Sequence, residues 1–146
     1  MKARAIVIEK QGAPSVMRLR SFTLDRPGEG EVTVRQTAVG MNFMDVYQRS
    51  GHYPLKLPSG IGLEAAGIVT AVGAGVDNLK VGDRVAYSGG PPGSYADHRN
   101  VMAARIVVIP DGVSDEQAAA ILLKGTTVEY LLERAYPVQA DENVLF

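Results

Sequence analysis

The feature that most constrains this chain is a change of periodicity near residue 113. Before it, glycine and proline cut the sequence into short segments. After it, the apolar residues take on helical spacing. The 16 glycines and 8 prolines of the 146 residues are scattered as punctuation and do not gather into a linker. Short strands separated by turns are therefore expected at Ala3–Ile8, Val16–Ser21, around Val32 and Val34, at Ala65–Val72, Ser94–His98 and 106–109, and Val81–Ala86 is expected to be a turn leading into another strand. Val32, Val34 and Ala38 alternate with Thr33, Arg35 and Thr37, the period of a half-buried strand. Asn42–Arg49 breaks the series as a short helix, with Asn42 as cap and Asp45 in its first turn. Ser114 with Gln117 forms a capping box for a helix that Gly125 is expected to interrupt, and a second helix is expected at Thr126–Arg134. The closing Val144-Leu145-Phe146 reads as the start of a further strand. The pattern predicts a mainly β fold with α: a β-rich unit handing over to helices.

Composition narrows the chemistry. With no cysteine, disulfides, thiolate zinc sites and cysteine nucleophiles are excluded. Fifteen basic against 16 acidic residues leave no strong positive field for nucleic acid or anionic lipid. No run approaches the roughly 18 apolar residues of a membrane helix, and the apolar run after Met1-Lys2-Ala3-Arg4 stops too early for a signal peptide. A cytoplasmic protein with no membrane partner is the expectation. The length suits one domain, or one and part of another.

Four runs carry a resemblance, in order along the chain: Gly40-Met41-Asn42-Phe43-Met44-Asp45, Gly62-Leu63-Glu64-Ala65-Ala66-Gly67-Ile68-Val69, Val81-Gly82-Asp83-Arg84-Val85, and Leu123-Lys124-Gly125-Thr126-Thr127 followed by Tyr130. They resemble the medium-chain dehydrogenases/reductases, and within them the NADPH:quinone oxidoreductase (zeta-crystallin-like) branch. The resemblance implies a GroES-like, partly open β-barrel over residues 1–124. A linking helix and the first strand of an incomplete Rossmann domain would then occupy 125–146. The glycine-rich dinucleotide fingerprint would lie beyond the chain, and Gly73-Ala74-Gly75 reads as a plain turn.

The same resemblance implies the absence of zinc. Zinc-dependent members place cysteine where Asn42 stands and histidine where Leu63 stands, and neither residue here is a zinc ligand. His52 and His98 lack ligand spacing. The implied reaction is hydride transfer from NADPH to a quinone-like acceptor. A zinc-free enone or enoyl reductase, and a non-catalytic GroES-like interaction module, are the alternatives. In the full-length protein a homodimer is implied.

By resemblance, Asn42, Phe43, Met44, Asp45, Val46 and Tyr47 line the nicotinamide side of the cleft, and Lys124, Thr127 and Tyr130 reach the cofactor. Asn42, whose amide can give or accept a hydrogen bond, and Tyr47 and Tyr53, as donors or aromatic platforms for a flat substrate, are the candidate catalytic residues. Each has a plainer reading: Asn42 as a helix cap, the tyrosines as packing residues, Lys124 as a solvated cation. Lys124 and Thr127 are read as flanking Gly125 at a helix start, where free amides and an ammonium suit an anion or a carboxamide. Glu64, in an apolar strand, needs a partner. Arg84 or a backbone amide is expected to supply it, which makes Glu64 a structural ion-pair member and not a general base.

Overall fold

The computed structural model describes residues 1–145 and comprises two antiparallel sheets and two principal helices. In chain order the elements are β1 (Lys2–Ile8), β2 (Arg18–Thr23), β3 (Glu31–Gly40), α1 (Phe43–Ser50), β4 (Ser59–Gly60), β5 (Glu64–Val72), β6 (Arg84–Ser88), β7 (His98–Met102), β8 (Ile106–Val108) and α2 (Asp115–Glu129). One sheet runs β2-β1-β4 and the other β7-β3-β5-β6-β8. They meet through the Ala5–Ala96 bridge and the Ile6 N–H donated to Tyr95 O (2.8 Å), so the barrel stays partly open. Among the described residues no helix is long and apolar enough to cross a membrane.

β5 lies at the centre of the larger sheet, and both of its faces are covered. Ala65 and Val69 join Val32, Val34, Val85, Tyr87 and Val101 in the main core. Ala66 faces the other way and packs with Ala86, Ile109, Ala118 and Ala119 under α2. A strand buried on both sides reads as a continuous apolar run, which is how Ala65–Val72 reads.

Several expectations are corrected. Thr33 is 3% exposed instead of facing solvent. The β3–β5 register jumps from Thr33–Ala71 to Val34–Val69, leaving Thr70 unpaired, and the Thr33 hydroxyl meets Asn100 Oδ1 at 2.7 Å. The second strand begins later than Val16, because Pro14–Val16 forms a 3-10 turn for which proline presets φ. Residues 94–97 cross between the sheets, and the strand follows at His98–Met102. The two-residue strand Ser59–Gly60 is too short to show a period. Most consequentially, Gly125 does not interrupt the helix: α2 runs through it to Glu129 and continues as a π-helical segment, Tyr130–Ala135. One interior glycine costs only about 1 kcal/mol. Here the Ser114 cap (Gln117 N–H to Ser114 Oγ, 3.1 Å) and packing of Ala118 and Ala119 outweigh it. Val144 and Leu145 form no strand, and Phe146 lies outside the described residues.

Arg84 and Asp115 fasten the start of α2 to the sheet. The guanidinium donates to Asp115 Oδ1 (2.7 and 3.0 Å) and to Val113 O (2.7 Å), while the Thr37 hydroxyl donates to Asp115 Oδ2 at 2.6 Å. The Thr37 bond, opposed by burial and aided by Arg84, holds the Asp115 carboxyl below its usual range.

Candidate active site

The site is built where the end of β3, the start of β5 and the middle of α2 converge. Gly40 pairs with Glu64 across the sheet. A Cβ on Gly40 would lie 2.1 Å from the Ala119 carbonyl oxygen and 2.3 Å from Glu64 Cγ, so only glycine lets the three elements close.

Glu64 is fully buried, 0% exposed, and three donors surround its carboxylate. Asn42 Nδ2 and Lys124 Nζ both donate to Oε1, each at 2.9 Å, and the Leu123 backbone N–H donates to Oε2 at 2.7 Å. The expected backbone amide is present, but Arg84 is not the partner. The register sets Arg84 opposite Ile68 and Ser88 opposite Glu64, so Arg84 is left at the far end of the pairing, with Asp115. Lys124, half-exposed, is the counter-ion. A buried carboxylate needs this degree of satisfaction, since an unpaired one would be costly.

A second carboxylate lies beside the first. Asp45 is 4% exposed, and its Oδ2 accepts from the Asn42 backbone N–H and from the Tyr95 hydroxyl, both at 2.9 Å. Burial pushes the Asp45 carboxyl up, and the charge of Glu64 adds to this. The bonds from Asn42 and Tyr95 and the charge of Lys124 oppose it. Burial and the bond to Asp45 in turn push the Tyr95 hydroxyl far above its ordinary value. Asp45 is thus a buried, hydrogen-bonded first-turn residue. Tyr95 had no reading in the sequence. The available signal is Gly62: its φ is +95°, and a Cβ there would lie 2.4 Å from Tyr95 Cδ1. Only a glycine admits the ring.

The tyrosines named from the sequence meet each other. Tyr47 and Tyr53 pack edge to face with centroids 5.4 Å apart, and Phe43 and His52 flank Tyr47 at 6.3 and 5.8 Å. The Tyr53 N–H donates to Tyr47 O at 3.1 Å, which folds the turn after α1 back on the helix. Met41 and Phe43 are 77% and 78% exposed, and Met44, Val46, Tyr47 and Tyr53 are also exposed. Together they make an apolar, aromatic shelf along α1.

The α2 candidates divide. Lys124 joins Asn42 through Glu64. The reading of free amides at a helix start around Gly125 is overturned, because Lys124 and Thr127 sit inside α2. The Thr127 hydroxyl donates to Leu123 O at 3.0 Å, within the helix. Tyr130 stands exposed where the α-helix becomes π-helical. Among the described residues no group of three or more His, Cys, Asp or Glu converges to hold a metal. His98 meets Asp97 Oδ1 at 3.2 Å, and His52 lies beside Ser50 and Tyr47.

Residues 28–111, from the turn before β3 to the turn after β8, match the alcohol dehydrogenase GroES-like domain. The chain belongs to this family. The matched segment of the GroES-like domain contains Gly40, Asn42, Asp45, Glu64 and Tyr95, whereas Lys124, Thr127 and Tyr130 follow it. Over 99% of its length the chain is 47% identical to a quinone oxidoreductase of Pseudomonas aeruginosa, 45% of which it covers. It is 37% identical to a 2-haloacrylate reductase of Burkholderia, covering 97% of this chain and 44% of that one. The GroES-like domain and its helices superimpose with a TM-score of 0.91 on Escherichia coli quinone oxidoreductase complexed with NADPH. That match is at 47% identity and covers 96% of this chain and 43% of that one. The chain therefore spans less than half the length of these relatives.

Proposed function

We propose that the chain is the catalytic-domain portion of an NADPH-dependent quinone oxidoreductase that works without zinc. In this reading residues 1–124 form the catalytic domain, and 125–146 link it to a nucleotide-binding domain. The observation that carries it is the buried Glu64, which ties Asn42 of the α1 turn to Lys124 of α2 beside an exposed aromatic shelf.

The donor set fits the nicotinamide end of such a cofactor and not its phosphates. The N-terminus of α1 is already occupied by Asp45 Oδ2, and that of α2 by Ser114 and Gln117. What remains is the Lys124 ammonium, with N–H groups to spare, and the Asn42 amide. When bound, NADPH supplies the hydride; the chain's own residues orient and shield. Lys124 and Asn42 would fix polar groups near the reacting ring. The shelf of Phe43, Tyr47 and Tyr53 would cover a flat acceptor and exclude water, and the Tyr47 or Tyr53 hydroxyl would donate to the developing oxyanion. A quinone is already electrophilic, so one or two such donors suffice. Neither Asn42 nor Leu63 offers zinc a ligand, and the proposed chemistry needs none.

A second reading, an enone or enoyl reductase, is favoured by the likeness to a protein named as a 2-haloacrylate reductase. The test is NADPH oxidation by the full-length protein with 1,4-benzoquinone, 2-cyclohexenone and 2-chloroacrylate, with and without a chelator. A kcat/KM at least about tenfold higher for the quinone, insensitive to chelation, is expected. A preference for either alkene supports the second reading. Loss of activity on chelation, or no NADPH oxidation at all, overturns the proposal.

A further inference from the structure

We propose that Glu64 is a positioning residue that selects one orientation of the Asn42 amide and holds the Lys124 ammonium. The site then offers a ligand a fixed acceptor, Asn42 Oδ1, beside fixed donors, the remaining Lys124 N–H groups. This rests on the reading of Asn42 and Lys124 as cofactor-side residues. It adds to that reading a residue that touches no ligand and sets the polarity of the two that do.

Hydrogen-bond accounting at a carboxylate that water does not reach sets the orientation of its partners. Glu64 is 0% exposed and its neighbours at hydrogen-bond distance are all donors: Asn42 Nδ2, Lys124 Nζ and the Leu123 N–H. The Leu123 amide is fixed by α2, so Oε2 is committed to it. Oε1 then faces Asn42 and Lys124 together, at 2.9 Å each. Turning the Asn42 amide over would set Oδ1 against Oε1, two acceptors at contact distance with no proton between them. That costs the desolvation of a buried polar group. The carboxylate thus reads the amide as a donor and turns Oδ1 toward the Asp45 N–H of the α1 capping box, with its second lone pair as the acceptor open to a ligand. A hydroxyl or a primary carboxamide, which both donates and accepts, matches an acceptor beside an ammonium. Gly40 is part of the same device, because a Cβ there would fall 2.4 Å from Oε1.

The substitution Glu64→Gln tests this with little change of shape. The introduced amide has one acceptor oxygen, which the fixed Leu123 N–H claims. Its nitrogen then takes the place of Oε1 and faces two donors. Asn42 must turn over, presenting Nδ2 outward, and Lys124 is released to solvent. Adding Asn42→Asp should repair the polarity. One oxygen of the introduced carboxylate accepts from the new amide, and the other takes the place of Asn42 Oδ1. Asn42→Asp alone sets two carboxylates together and should lower the melting temperature.

Two measurements decide the matter. In the 146-residue chain, side-chain amide exchange by NMR reads the orientation of Asn42 without any cofactor. Its Nδ2 protons should exchange at least about tenfold more slowly than those of the exposed Asn78, and the protection should vanish in E64Q. In the full-length protein, E64Q should raise the KM for NADPH about tenfold while kcat changes less than about threefold. The double variant E64Q/N42D should recover KM to within about threefold of the parent. Exchange of Asn42 as fast as that of Asn78 overturns the proposal, as does a double variant no better than E64Q. A protected Asn42 in a full-length protein that never binds NADPH supports the positioning and overturns the functional reading instead.

Discussion

At the scale of the residue, the site depends on what is missing as much as on what is present. Gly40 has no side chain because the Ala119 carbonyl and Glu64 occupy that space. Gly40→Ala should destabilise the chain by about 3 kcal/mol, the upper range for forcing a methyl into a packed site, and urea unfolding would measure it. A loss under about 1 kcal/mol would mean that β3 and α2 can separate freely. Charge is the other lever. Asp97 accepts from the Arg4 N–H (2.8 Å) and guanidinium (3.1 Å) and from His98 (3.2 Å), tying β1 to the crossing before β7. Burial alone would raise its carboxyl, but the Arg4 and His98 contacts outweigh burial and hold it at about 2, below the ordinary 3.8. A depressed carboxylate stabilises the fold above its unfolded value. That contribution is lost as pH falls through the folded value. The stability gap between the parent and D97N should therefore be full above about pH 4 and close between about pH 4 and about pH 2. A gap unchanged at acid pH would contradict the assignment.

At the scale of the element, α2 shows how local signals combine. Ser114 and Gln117 mark its start, and both halves of the capping box form, at 2.9 and 3.1 Å. Ser114→Ala should cost about 1 kcal/mol in denaturant unfolding; no measurable change would show that Arg84 and Asp115 hold the helix start unaided. Its interior defeated the local reading. Gly125 resembles a break, yet the backbone there is held by the packing of the preceding turn against the sheet. A helix-breaking propensity of about 1 kcal/mol is small against that burial. β3 carries the same lesson. Its alternation placed Thr33 outside, and the irregular register and Asn100 brought it in.

At the scale of the whole molecule, two sheets and a capping helix frame a site with an open side. The shelf along α1 is exposed, and so are Tyr130 and Leu131 beyond α2. Among the described residues neither principal helix presents a free N-terminus to a pyrophosphate. The 146-residue chain alone should therefore bind NADPH weakly, with a dissociation constant above about 1 mM, where free energies fall below about 4 kcal/mol. Nicotinamide fluorescence titration checks this, and micromolar binding would show that the contacts around Lys124 suffice alone.

What is local was legible in the residues: the turns at glycine and proline, the α1 cap at Asn42, the capping box at Ser114, and the doubly buried character of β5. Legible too was the need of Glu64 for a partner, because an isolated carboxylate in an apolar strand is costly wherever it is placed. Which partner was a matter of tertiary arrangement. Arg84 is much nearer than Lys124 in sequence, yet the β5–β6 register and the seat of α2 under the sheet bring only Lys124, 60 positions away, to the carboxylate. Tyr95 reaches Asp45 across 50 positions for the same kind of reason. Periodicity and capping are written within one or two turns of chain. Register, and the contacts it assembles, follow from how separate elements share one core.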